Sequence, residues 1–325
     1  MRAAIITRPG GPEVLEIQDI ETPQPVGDQV RVRVYASGIN RADLLQRAGG
    51  YPAPPGSPAN IPGLEFAGEV DAIGPLVRAW QPGQRVMGLA GGGAQAEYIL
   101  SHEGLLVEIP QNLDFVQAAG TPEVFMTAHD ALCTQAGLQM GERVLIHAAG
   151  SGVGTAAIQL AHAAGTTTFG TSRTPRKLEL ARELGLDVGL SDQNFAAEVD
   201  RLTNGEGVQV VIDFIGAPYL EQNLQALAPW GRIVFLSTMG GAQAHVNLGM
   251  LMGKRISMRG VTLRTRTLEE KLVVTRRFAT GVLPLLANGK VKPIIDQVYP
   301  LEQIAEAHRA MGENQNFGKL VVRVD

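Results

Sequence analysis

Val144-Leu-Ile-His-Ala-Ala-Gly-Ser-Gly-Val-Gly-Thr-Ala-Ala-Ile-Gln-Leu-Ala161 is the stretch whose reading decides the fold. Val144 to Ile146 is a short apolar run with the composition of a buried strand. Gly150, Gly152 and Gly154 permit a tight turn, and residues 155–164 continue as an apolar, alanine-rich helix. Strand, glycine turn and helix in that order form a phosphate cradle. Backbone N–H groups at the helix start point at the anion, and missing side chains let it come close. The spacing departs from G-x-G-x-x-G, since Thr155 stands three residues after Gly152. A plain strand-to-helix turn satisfies the same pattern, so the glycines alone do not establish a dinucleotide site.

Downstream, residues 144–147, 167–171, 208–213 and 232–236 read as strands, with helices over 155–164, 175–184 and 219–227 between them. This alternation predicts an α/β domain with a doubly wound parallel sheet and helices on both faces, of the Rossmann type. Upstream the pattern differs. Of the 19 prolines, 13 lie at or before Pro122. Val30, Val32 and Val34 are interleaved with Arg31, Arg33 and Tyr35, which predicts a mostly antiparallel, partly barrel-like β domain. One helix is expected there over 40–47. Beyond Thr265 come a long helix over 268–286, a strand over 294–298, a helix over 301–311 and a strand over 319–324. This tail is expected to rejoin the first domain. The division is then 1–121 with 266–325 as one domain, and 122–265 as an inserted nucleotide-binding domain.

The chain has 325 residues, 45% hydrophobic and 18% charged, which suits two domains with cores and excludes disorder. A net charge of −4 with no basic tract gives no reason to expect nucleic acid or an anionic membrane as partner. No apolar run reaches the length of a membrane span, and the N-terminus lacks the apolar core of a signal peptide, so a cytoplasmic protein is expected. Cys133 is the sole cysteine, which excludes an intramolecular disulfide and a cysteine-based zinc cluster. The six histidines never cluster at metal-ligand spacing. His147 reads as a hydrogen-bonded core residue, Cys133 as packing, and residues 249–253 as core. Arg264 and Arg266 fit either a cleft border or the surface.

In such a sheet, an acidic residue roughly 20 positions past the glycines binds the ribose hydroxyls of NAD and repels a 2′-phosphate. Here Phe169-Gly-Thr-Ser-Arg-Thr-Pro-Arg-Lys177 carries no carboxylate before Glu179. Ser172, Arg173, Arg176 and Lys177 offer donors and positive charge instead. A solvated helix N-terminus that happens to be basic gives the same pattern, but cations are disfavoured at a helix start by its dipole, so their presence points to a 2′-phosphate and to NADPH.

Several separated motifs carry a wider resemblance. They are Arg8-Pro-Gly-Gly-Pro-Glu-Val-Leu15, Ala36-Ser-Gly-Ile-Asn-Arg-Ala-Asp43, Tyr51-Pro-Ala-Pro-Pro-Gly56 and Ile61-Pro-Gly-Leu-Glu-Phe-Ala-Gly-Glu-Val70, followed by Ala148-Ala-Gly-Ser-Gly-Val-Gly154 and Asn316-Phe-Gly-Lys-Leu-Val-Val322. Over its whole length the chain resembles the medium-chain dehydrogenase/reductase superfamily, specifically its zinc-free quinone oxidoreductases related to zeta-crystallin. The resemblance implies a GroES-like first domain. Asn40 and Leu64 stand where zinc-dependent relatives have Cys and His, and neither replaces a zinc ligand. Alcohol oxidation, which needs that Lewis acid, is therefore not expected.

The resemblance further implies a quinone site lined by Asn40, Asp43 and Tyr51. Tyr51 would orient or protonate a quinone oxygen, and Asn40 would polarise it or contact the nicotinamide ribose. The residues alone also permit Tyr51 as a loop tyrosine packed on prolines, and Asp43 as a cap or an ion-pair partner of Arg41 or Arg47. Cofactor contacts carried over fall on Asn40, Thr127, Ser151, Gly152, Val153, Ser172, Lys177, Gly216, Asn316 and Lys319, with Arg173 added from its charge. Two departures stand out. Ser151 replaces a glycine common among relatives, and residues 189–195 lack the tyrosine that relatives place against the adenosine phosphate.

The expected activity is NADPH-dependent reduction of small quinones. The alternatives are reduction of an activated C=C bond in alkenals or enoyl thioesters, and non-catalytic NADPH binding. Residues 256–261 read as the last strand of the cofactor sheet, and an exposed edge invites pairing, so a homodimer through that edge is expected.

Overall fold

The computed structural model describes residues 1–324. The chain opens with strands β1 (Arg2–Ile6), β2 (Leu15–Asp19) and β3 (Gln29–Gly38), then helix α1 (Arg41–Arg47). Strands β4 (Glu65–Ile73), β5 (Arg85–Leu89), β6 (Tyr98–His102) and β7 (Leu106–Glu108) precede helices α2 (Phe115–Ala119) and α3 (Pro122–His129). Alternation follows: β8 (Arg143–Ile146), α4 (Gly152–Ala163), β9 (Thr167–Ser172), α5 (Pro175–Arg182), β10 (Val188–Ser191), α6 (Phe195–Leu202) and β11 (Val208–Asp213). It continues with α7 (Leu220–Ala226), β12 (Leu227–Phe235), α8 (Leu248–Lys254) and β13 (Ser257–Gly260). The tail supplies α9 (Leu268–Gly281), α10 (Leu283–Ala287), β14 (Ile295–Pro300), α11 (Ile304–Glu313) and β15 (Lys319–Arg323). Two compact units result. One is Met1–Met126 together with the chain from Leu263 onward, and the other is Thr127–Thr262.

The first unit is GroES-like. Its main sheet runs β14-β15-β3-β4-β5-β7, with β6 also on β3, and β1 pairs β2 separately. The period-two pattern of β3 explains its place at the centre. Val30, Val32 and Val34 are 0–2% exposed, while Arg31 turns outward to Asp71 at 2.5 Å. The last strand joins this sheet antiparallel to β3, with Val321 opposite Gly38. Strand β14 is parallel to β15, the one parallel pair among the described residues of an otherwise antiparallel sheet.

The second unit is a Rossmann-type six-stranded parallel sheet, ordered β10-β9-β8-β11-β12-β13. Strand β8 sits centrally, and its Val144, Leu145 and Ile146 are fully buried, as a continuous apolar run requires. The order reverses between β8 and β11. At such a point the carboxyl ends of the strands open a crevice where ligands bind.

Several expectations are corrected. The helix over 268–286 is two helices that break at Val282, at φ −112°; Pro284 lacks the N–H that would continue the first helix and stands instead in the first turn of the second, where no N–H is needed. Strand β10 and helix α6 lie outside the expected elements; the four residues of β10, with an internal glycine, give no periodic signal. Residues 249–253 lie in α8 and are core only in part: Met250 and Leu251 pack against the core of this unit, while Met252 is 74% exposed. Cys133 is surface-exposed rather than packed. His147 is a core residue, fully buried, with Nδ1 2.8 Å from Thr171 Oγ1 and Nε2 2.6 Å from Asn223 Oδ1. Among the described residues no helix is long and apolar enough to cross a membrane.

Candidate active site

In the first unit a buried ionic cluster gathers residues from four segments. Lys319, at the start of β15, is 3% exposed and donates all three of its N–H groups inward. They reach Glu65 Oε1 at 2.6 Å, Asn40 Oδ1 at 2.7 Å and the Ile39 carbonyl at 2.7 Å. Asn40 caps α1, and its Nδ2 donates to Glu65 Oε1 at 3.0 Å. The other Glu65 oxygen accepts the Glu123 backbone N–H at 2.8 Å, which ties the start of α3 to β4. A fully buried carboxylate and ammonium are tolerated here because nearly every lone pair and proton has a partner.

Asp43 closes the cluster. Its carboxylate accepts backbone N–H groups from Asn40 at 2.8 Å and Gly63 at 2.9 Å, and it is fully buried. Asp43 therefore caps α1 and pins the 63 turn, and it does not pair with Arg41 or Arg47. Burial raises its pKa to about 6, against the opposing pull of the two N–H groups and Lys319. Glu123, partly exposed, is pushed further, to about 8. Burial comes first, then the Glu65 charge, with Lys319 pulling the other way.

Tyr51 lies on the loop after α1 and is held by Arg264. The guanidinium sits 5.0 Å above the tyrosine ring and donates to the Tyr51 carbonyl at 3.1 Å, to the Gly91 carbonyl at 2.8 Å and to Gln46 Oε1. Arg264 is thus buried, not a surface residue. Among the described residues the Tyr51 hydroxyl has no hydrogen-bond partner, so it is open to one from a ligand. Its pKa is raised by burial, moderated by Arg264 and increased by Glu123.

In the second unit Ser151 caps α4 by accepting the Gly154 N–H at 3.0 Å. The N–H groups of Gly152 and Val153 lie in the first turn and have no intrahelical acceptor, as an anion cradle requires. A Cβ on Gly154 would lie 2.9 Å from Ser151 Oγ and 3.0 Å from the Ala149 carbonyl, so only glycine permits this packing of turn on helix. A Cβ on Gly150 would meet the Lys177 side chain at 2.8 to 3.2 Å, which places that lysine across the turn. Ser172 ends the neighbouring β9 and Arg173 follows it, so the cradle and the basic group share one sheet edge. The arrangement fits a dinucleotide phosphate. Thr127 Oγ1 is buried without a partner, an open group at the start of this unit.

The remaining expected residues are more occupied. Gly216, at φ 86°, donates its N–H to Asp213 Oδ1 at 3.0 Å and shapes the turn after β11. Asn316 Nδ2 donates locally to the Gly318 carbonyl at 2.7 Å. Sequence reasoning assigned no role to Glu65 or Glu123 and left Arg264 open. The signal for Glu65 was present: a lone carboxylate in the apolar run Ile61-Pro-Gly-Leu-Glu-Phe-Ala67 demands a buried partner.

The family also raises the question of zinc. Leu64 is 2% exposed and apolar, and the Asn40 amide is already engaged at both ends. Among the described residues no group of three or more His, Cys, Asp or Glu side chains stands where it could hold a metal ion. The residues do not fit a catalytic zinc.

Comparison with known proteins agrees with this architecture. Residues 27–111 match the alcohol dehydrogenase GroES-like domain family, and residues 152–279 match the zinc-binding dehydrogenase family. A quinone oxidoreductase of Pseudomonas aeruginosa is 36% identical, covering 96% of both chains. The Homo sapiens quinone oxidoreductase is 33% identical over 95% of this chain and 93% of its own. Among solved structures, an NAD-dependent alcohol dehydrogenase is 34% identical with a TM-score of 0.90, covering all of both chains. A mycobacterial protein, Rv1454c, complexed with NADPH, is 28% identical with a TM-score of 0.89, also over both full chains. The CurK enoyl reductase is 29% identical with a TM-score of 0.86, covering 100% of this chain and 99% of its own. The family matches, the full-length relatives and the paired GroES-like and Rossmann-type units together make this chain an oxidoreductase of the medium-chain dehydrogenase/reductase superfamily, in its quinone oxidoreductase family.

Proposed function

We propose that the chain is a zinc-independent, NADPH-dependent quinone oxidoreductase. The observation that carries this reading is the Asn40 position. Where a zinc ligand would be needed, the amide is locked between Lys319 and Glu65, beside apolar Leu64, so no Lewis acid is available to activate an alcohol. A quinone needs none, because it accepts hydride readily and one proton completes the hydroquinone. NADPH, when bound, supplies the hydride. The glycine turn and the α4 N-terminus hold its diphosphate, and Lys177, Arg173 and Ser172 receive the 2′-phosphate. Tyr51 orients the quinone and donates the proton from its open hydroxyl, while Arg264 fixes its ring. Asp43 and Lys319 act through Asn40, as positioning residues.

The test follows NADPH and NADH oxidation with ortho- and para-quinones, an alkenal and an enoyl thioester, with chelator present. Chelator-resistant turnover of quinones with NADPH is expected. Tyr51→Phe is expected to lower kcat/KM by about 10- to 100-fold, the lower range of a positioned acid's contribution. Likeness to the CurK enoyl reductase favours a second reading, reduction of an activated C=C bond. Turnover of the alkenal or thioester alone would put that reading first. NADPH binding without any turnover would remove both.

We also infer a two-fold dimer. All four residues of β13 are exposed and, among the described residues, pair only with β12, with Met258 outward at 39% exposure, so the strand offers an unpaired edge to a second copy. Light scattering is expected to report twice the monomer mass, and a monomer at micromolar concentration would refute the inference.

A further inference from the structure

The second unit carries a carboxylate that the cofactor reading does not use. Strands β10 and β9 run parallel in register, with Leu190 beside Thr171 and Ser191 beside Ser172. Their next residues, Asp192 and Arg173, therefore leave neighbouring strands at the same end of the sheet. Arg173 is exposed and Asp192 half-buried.

Asp192 does not sit on a loose loop. The Tyr219 hydroxyl donates to its Oδ2 at 3.0 Å. The Tyr219 ring packs against His147 with centroids 4.8 Å apart, and against Phe195 at 5.2 Å. Gln222 holds the following residues, donating to the Gln193 carbonyl at 2.9 Å and accepting from the Ala196 N–H at 3.3 Å. Tyr219 also senses both charges: burial and Asp192 raise its pKa, and Arg173 lowers it. The carboxylate is thus fixed at the end of the strand next to the one that carries Arg173, the residue assigned to the 2′-phosphate.

We propose that Asp192, held by Tyr219 beside Arg173, is a specificity-determining residue of the adenosine ribose site, which makes the site accept NADH as well as NADPH. The inference rests on the cofactor reading above. A carboxylate at this edge opposes the Arg173 charge, repels a 2′-phosphate dianion and accepts a hydrogen bond from a free 2′-hydroxyl. The site therefore carries both signs, and discrimination between the two cofactors is reduced.

The experiment is calorimetric titration of the full chain with adenosine 2′,5′-bisphosphate and with 5′-AMP, which reads binding without turnover. Asp192→Asn is expected to tighten the bisphosphate by about 5- to 20-fold and to leave 5′-AMP within about twofold. The gain is expected to shrink at high salt, and Asp192→Glu, which keeps the charge, is expected to show none. An unchanged ratio of the two affinities in Asp192→Asn would overturn the proposal while leaving the cofactor reading intact. Failure of the unaltered chain to bind either nucleotide would overturn both.

Discussion

Lys319→Met is expected to lower the unfolding free energy by about 3–5 kcal/mol, the range for removing one member of a buried ion pair. Among the described residues Lys319 is the only cation making direct contact with the Glu65 carboxylate, which is itself fully buried. Methionine fills similar volume but supplies no charge, so Glu65 is left facing only the Asn40 Nδ2 and Glu123 N–H donors. Asp43 and Glu123 also lose the positive charge that restrains their upward pKa shifts. The measurement is the urea unfolding midpoint. A loss below about 1 kcal/mol would mean that the pair contributes no more than a surface salt bridge. The double variant Lys319→Met with Glu65→Leu is expected to recover part of the loss, because two apolar side chains leave no uncompensated charge. Quinone turnover is expected to stay low in the double variant, since the Asn40 amide then loses its Lys319 and Glu65 partners and keeps only the longer contact to the Gly38 carbonyl, 3.4 Å.

Glu123→Gln is expected to make the chain more stable in alkali and to change the shape of its stability profile. The folded-state pKa of Glu123 is about 8, well above that of an unfolded glutamate near 4.3. Between those values the folded chain holds a proton that the unfolded chain releases. Stability from this group is therefore fully present below the unfolded pKa, falls as pH rises, and is lost through the folded pKa. Glutamine is neutral throughout and removes that slope. The variant and the parent are expected to unfold alike near pH 4.5, and the variant to be more stable by about 1–3 kcal/mol near pH 9, after allowing for the partial exposure of Glu123. Asp43 contributes a smaller slope of the same sign in both proteins, ending near pH 6, so it cancels in the comparison. Parallel profiles across this range would show that Glu123 is already ionised in the folded chain at neutral pH.

The two pH-sensitive carboxyls illustrate the limit of sequence reading. Nothing in Thr121-Pro-Glu-Val-Phe125 marks Glu123 as unusual, since an acidic residue in the first turn of a helix is ordinary. Its neighbours Glu65, Asp43, Lys319 and Arg264 come from elements up to 196 positions away, and only the fold brings their charges together. Asp43 was legible as a cap, because its spacing from Asn40 fits a capping box. Its second bond, to Gly63, was not. The helix break just ahead of Pro284 was readable in principle, whereas β10 was too short to announce itself.

By itself the sequence determined the fold class: apolar runs and period-two alternation specify which local structure buries its own face. It also determined the glycine cradle, because backbone access there depends on what side chains are missing. Tertiary structure decided which side chains remain open for chemistry. Lys319 and Asn40 are spent on Glu65, Arg264 is spent on positioning Tyr51, and Asp192 is set beside Arg173 by strand register. Those pairings join residues distant in the chain, and their energies depend on burial and distance, which residue order does not encode.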